Sequence, residues 1–102
     1  TFSGHSLSDE IFFRKAEIYT KLDDIDMALQ MYEKILSEFG DDILADDALY
    51  RQAKIYDNEL EDYSKAMELY EKILVKHISS IFTVEARKRF RALRGDNLNF
   101  EK

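Results

Sequence analysis

Tyr32-Glu33-Lys34-Ile35-Leu36 returns unchanged as Tyr70-Glu71-Lys72-Ile73-Leu74, 38 residues further on. Ahead of it, Phe12-Phe13-Arg14-Lys15-Ala16-Glu17-Ile18-Tyr19 returns in kind as Leu49-Tyr50-Arg51-Gln52-Ala53-Lys54-Ile55-Tyr56, 37 residues further on. Two copies of one unit of this length mark a chain built by repetition of a single supersecondary element. The offset grows by one between the two segments. The extra residue is expected in the turn between helices, at Glu61 or a neighbour, because turns tolerate insertion.

Each copy reads as two helices. In the first, Phe12, Ala16 and Tyr19 fall at i, i+4 and i+7, one face of a helix over about 8–22. Ala28, Tyr32, Ile35 and Leu36 make the same stripe over about 24–39. The second copy repeats the pattern over about 45–58 and 62–77. Asp24 and Asp62 open the second helix of each copy, as N-caps or first-turn acids do. A fifth helix over about 82–95 carries Phe82, Ala86, Phe90 and Leu93 on one side. Gly95 suits its C-cap, and 96–102 is a polar tail. Thus one all-α domain is expected over 1–102, with one repeat over about 8–39, another over about 45–77 and a terminal helix.

The composition agrees. There is no cysteine and no proline, and only three glycines. The first rules out disulfides and thiolate metal sites; the others leave little strand-and-turn punctuation. No apolar run approaches the ~20 residues that span a bilayer. The net charge of −6 is uneven: residues 1–82 hold 9 Lys+Arg against 18 Asp+Glu, and residues 83–102 hold 6 against 3. The acidic bulk argues against nucleic-acid binding, since like charge repels phosphate.

The units resemble the tetratricopeptide repeat. The resemblance rests on Ala16, Tyr19, Asp24-Ile25, Ala28 and Tyr32 in the first copy, and on Ala53, Tyr56, Asp62-Tyr63, Ala66 and Tyr70 in the second. In that pattern small residues let paired helices approach and tyrosines fill the gaps. The usual proline after the second helix is replaced by Gly40 and Ile78. The usual glycine of the inter-helix turn is replaced by Asp23 and Leu60, and Lys15 and Gln52 stand where leucine is common. The resemblance implies an α-α superhelix of two hairpins and a capping helix. It implies a scaffold that binds a protein or peptide partner along the concave face of its first helices and performs no chemistry. The rival is a structural spacer within a larger envelope-associated protein, with no groove ligand. The long linkers 41–45 and 79–83 look like those of bacterial envelope-type repeat proteins, which favours a periplasmic or envelope setting over a cytoplasmic one.

On the face so implied, residues recur as ladders: Glu10, Asp47 and Glu85; Phe13, Tyr50 and Lys88; Glu17 and Lys54, with Arg14 and Arg51 beside them. Phe13, Arg14, Glu17, Tyr50, Arg51, Lys54 and Lys88 are the expected partner-binding residues. An aromatic flanked by charges suits a peptide seat. A chaperone-tail carboxylate clamp is not expected, because Phe13, Glu17, Tyr50 and Lys54 hold its places. Arg87, Lys88, Arg89, Arg91 and Arg94 form a basic cluster, with Arg87, Arg91 and Arg94 as a secondary patch. Its plainer reading is the solvated side of a helix whose C-terminal dipole favours cations. The acidic groups around Asp23, Asp41 and Asp46 lack the spacing of a calcium loop. His5 and His77 stand at non-equivalent places, so no metal, cofactor or catalytic role is expected.

Phe2-Ser3-Gly4 aligns with Phe39-Gly40-Asp41, which places Phe2 at the end of a missing second helix. A longer parent with further repeats on the N-terminal side is therefore expected. Phe2, Leu7, Ile11 and Ile18 would form an uncovered apolar surface and drive weak self-association.

Overall fold

The computed structural model describes residues 4–38 and 44–95, with side chains from Glu10 onward. Phe2, the side chains of His5 and Leu7, most of the linker before Ala45, and the tail lie outside the described residues. Among the described residues five helices follow one another: α1 (Gly4–Lys21), α2 (Ile25–Glu38), α3 (Ala45–Lys54), α4 (Tyr63–Lys76) and α5 (Thr83–Arg94). A π-helical turn, Ile55–Glu59, continues α3. No strand occurs among the described residues. No helix of the described residues is long and apolar enough to cross a membrane. The chain divides into two compact units, residues 1–48 and 49–102.

In the first unit α1 and α2 pack as a hairpin. Ala16 and Ala28 are wholly buried, as close helix packing requires. Ile35 is fully buried and Tyr32 nearly so. A fully buried isoleucine contributes about 2–3 kcal/mol by area. Phe13 meets Tyr32 edge-on, ring centroids 5.8 Å apart at 69°. The second unit repeats these roles with Ala53, Ala66, Tyr70 and Ile73. Its α5 packs on α4 through Ala86, which is wholly buried, beside Thr83. The Thr83 hydroxyl donates to the carbonyls of His77 and Ile78 at 3.3 and 3.0 Å, tying the connection to the head of α5.

The turn between paired helices is the same in both units. Asp23 and Glu61 adopt left-handed conformations, at φ 65° and 52°. Asp24 and Asp62 then cap the next helix, accepting the N–H of Met27 at 3.3 Å and of Lys65 at 3.2 Å. Two sequence expectations are corrected here. The residue that takes the place of the turn glycine in the second unit is Glu61, not Leu60. The extra residue of the second unit is not in this turn at all. The Leu22 N–H donates to Ile18 O, four residues back, while its counterpart Leu60 donates to Ile55 O, five residues back, both at 3.0 Å. The insertion is absorbed as a π turn, in which Asp57, Asn58 and Glu59 stand opposite Thr20 and Lys21. Helix α1 also starts at Gly4, four residues before the expected start. Gly95 ends α5 in the left-handed conformation, φ 99°, as its position implied.

Candidate functional site

Three features of the structure present groups with recognition chemistry, and all three lie in residues 49–95. The first is aromatic. Tyr50, half-buried on α3, stacks on Phe82 with centroids 4.6 Å apart at 17°, and leans on Tyr70 at 6.2 Å. The Lys54 ammonium lies 5.9 Å from the centre of the Tyr50 ring. Burial, then the charges of Glu85 and Asp57, push the Tyr50 hydroxyl above its ordinary pKa, so it stays a neutral donor. Lys88 is exposed one turn along α5 from Glu85 and pairs with it at 3.8 Å. Tyr50 thus offers a clamped ring beside Lys54 and Glu85, and Lys88 pairs with that acid.

The second feature was not anticipated. Asp57, in the π turn, is 4% exposed. Arg89 of α5 grips it with both arms: Nε donates to Oδ2 and Nη2 to Oδ1, each at 2.8 Å. The Tyr70 hydroxyl of α4 donates to Oδ2 at 2.9 Å. One carboxylate therefore joins the end of α3, the middle of α4 and the middle of α5. Burial alone would raise the Asp57 carboxyl. The hydrogen bonds from Arg89 and Tyr70 and the charges of Arg89 and Lys54 outweigh it and hold the group below its ordinary value. The hydrogen bond to Asp57 holds the Arg89 guanidinium charged. Burial and then that same carboxylate push the Tyr70 hydroxyl well above its ordinary value. The network engages both carboxylate oxygens of Asp57 together with the Tyr70 hydroxyl and the Arg89 guanidinium. Arg89 therefore leaves the basic cluster in which the sequence placed it. The signal for this was readable: Arg89 lies three residues after Ala86 and seven after Phe82, on the apolar side of α5.

The third feature is the rest of that cluster. Arg87, Lys88, Arg91 and Arg94 are exposed along α5. In the first unit Arg14 is exposed and Glu17 half-buried. Phe13, expected as an exposed aromatic, is 9% exposed and belongs to the hairpin core, because its ring closes on Tyr32. Arg51 is half-buried on α3. Among the described residues no three acids, histidines or cysteines gather as a metal site would require.

Two family models, each describing a tetratricopeptide repeat, match the chain, one over residues 9–41 and the other over residues 47–77. No curated protein and no solved structure matches it. The two matched stretches coincide with the α1–α2 hairpin and with α3–α4, and both turn on the buried alanine and tyrosine pairs described above; the chain belongs to the tetratricopeptide repeat family.

Proposed function

We propose that this chain is a protein–protein interaction scaffold that seats a partner segment on its first-helix face, with Tyr50 as the anchor. Tetratricopeptide repeats in general mediate contacts between proteins. What supports the finer reading is one arrangement: the half-buried Tyr50, clamped by Phe82 and overlain by Lys54. A ring immobilised before binding costs little entropy on association and makes a hot spot more readily than a loose one. Around it Lys54, Lys88 and Glu85 supply charge for orientation, and Arg51 stands next to it in the helix. Arg14 and Glu17 hold the equivalent places of α1. Within the first unit Phe13 backs the α1 residues from the hairpin core.

A display library of random peptides, selected against the wild-type protein, tests this. Binders are expected to lose roughly 2 kcal/mol with Tyr50→Ala, and less with Lys54→Ala, as central and rim contacts do. Peptides that bind wild type and both variants alike would move the site elsewhere. Failure to select any binder would favour the spacer reading.

A further inference from the structure

Arg87, Arg91 and Arg94 stand in α5 where Phe12, Ala16 and Tyr19 stand in α1 and Leu49, Ala53 and Tyr56 stand in α3. In α1 this stripe faces the second helix of the hairpin: Ala16 is wholly buried, and Lys34 of α2 lies over the Phe12 ring at 5.6 Å. In α3 Leu49 and Ala53 are likewise buried. In α5 all three positions are exposed. So α5 is a first helix whose partner-facing stripe has been rewritten in arginine. An arginine at the place of Ala16 and Ala53 forbids the close approach of an apolar helix. It suits a helix that carries carboxylates, which guanidinium forks engage in pairs.

Two of the arginines are available: among the described residues the side chains of Arg87 and Arg91 join no ion pair or hydrogen bond. Among the described residues Lys88 pairs with Glu85, with side chains 71% and 55% exposed. Arg94 rests over the Phe90 ring at 5.1 Å, which steadies it. At the head of the stripe Val84 is 63% exposed. A shallow depression of about 450 Å³ runs between Val84, Arg87, Lys88, Arg91 and Ala92.

We propose that α5 is the docking face for an acidic amphipathic helix of a partner protein, lying where the second helix of a hairpin would lie. Its carboxylates, one turn apart, face Arg87, Arg91 and Arg94, and an apolar side chain rests on Val84. Three cations spaced by helical turns match the spacing of carboxylates on a facing helix, whereas a single phosphate fills one gap and leaves Val84 unused. Lys88 borders both this face and the Tyr50 seat, but Arg87, Arg91 and Arg94 belong to this face alone, so this proposal does not depend on that one.

Fluorescence anisotropy of the whole chain tests it. The probe is a labelled helical peptide with glutamates at i, i+4 and i+7 beside a leucine rail; the control is the same composition with that register scrambled. The register peptide is expected to bind more tightly than the scrambled one, and to weaken as salt rises. Arg87→Glu with Arg91→Glu should weaken it about tenfold or more, through reversed charge, with helix content by circular dichroism unchanged. Tyr50→Ala should leave it unaltered, which separates this face from the other. The proposal is overturned if the register peptide does not bind, binds the double variant equally well, or is no better than the scrambled control. It is overturned too if only inorganic phosphate or phosphatidylserine vesicles respond to the double variant.

Discussion

Arg89 holds Asp57 through both carboxylate oxygens at 2.8 Å, across 32 residues of chain, and thereby fastens α5 to the end of α3. Asp57 is nearly inaccessible, while the Arg89 side chain keeps 41% of its exposure. Removing a partner from a fully buried pair costs about 3–5 kcal/mol, chiefly by stranding the other charge. Arg89→Leu is expected to cost less, about 2–3 kcal/mol, because water reaches the guanidinium side. Asp57→Leu combined with Arg89→Leu should recover part of the loss. Urea unfolding of the two single variants and the double gives the coupling directly. Additive losses would mean the pair is not coupled and α5 is held by its apolar stripe alone.

The same carboxylate sets an acid limit. The folded-state pKa of Asp57 lies below its unfolded value, so the folded state binds this proton more weakly than the unfolded chain does. Its contribution is therefore complete above the unfolded carboxylate pKa, about 4, and is lost as pH falls through the folded value. Melting temperature should accordingly decline below that point more steeply in the wild type than in Asp57→Asn. Parallel acid limbs for the two proteins would assign the decline to other carboxylates.

Much of the fold is legible in the sequence because it rests on local rules. The recurrence of Ala16 and Ala53, and of Tyr32 and Tyr70, encodes the packing of each hairpin. Asp24 and Asp62 encode the caps, and Gly95 the stop. Three things are not legible that way. Periodicity says nothing of how a helix end absorbs one extra residue, so the π turn escapes it. Asp57 sits within that turn, opposite the exposed Thr20, and nothing repeats its role elsewhere. Phe13 and Tyr50 share a register position but differ in exposure, since Phe13 closes on Tyr32 while Tyr50 is propped up by Phe82. Arg89 is the instructive case. A charge on the apolar side of α5 requires a buried partner, and the carboxylate that answers it was present in the sequence.

Ala16 and Ala53 have no exposed surface. Leucine at either place adds three carbons to a crossing with no room for them. Each substitution is expected to cost roughly 1–3 kcal/mol, as overpacking does. Arg91→Leu, at the equivalent place of α5, should be close to neutral in the free protein, because no described residue covers it. Thermal unfolding of the three variants makes the comparison. Equal effects at Ala53 and Arg91 would refute the equivalence of the two stripes.

Ile11 and Ile18 lie on one side of α1 and are 47% and 55% exposed. Their register positions in α5 belong to Ala86 and Leu93; Ala86 is wholly buried in the packing of α5 on α4. In α1 that side is open, with a shallow hollow of about 320 Å³ between Glu10, Ile11, Arg14, Lys15 and Ile18. Two exposed isoleucines about two turns apart present a continuous apolar strip, but Arg14 and Lys15 border it with like charge. The balance favours contact that is weak and strengthened by salt, which screens the cations while leaving the apolar gain intact. Light scattering of this chain should therefore show a mass that rises with concentration, more steeply at high salt. Ile11→Lys with Ile18→Lys should abolish the rise without lowering helix content, since neither side chain is buried. A wild-type mass constant up to millimolar concentration would show that the strip does not mediate self-association.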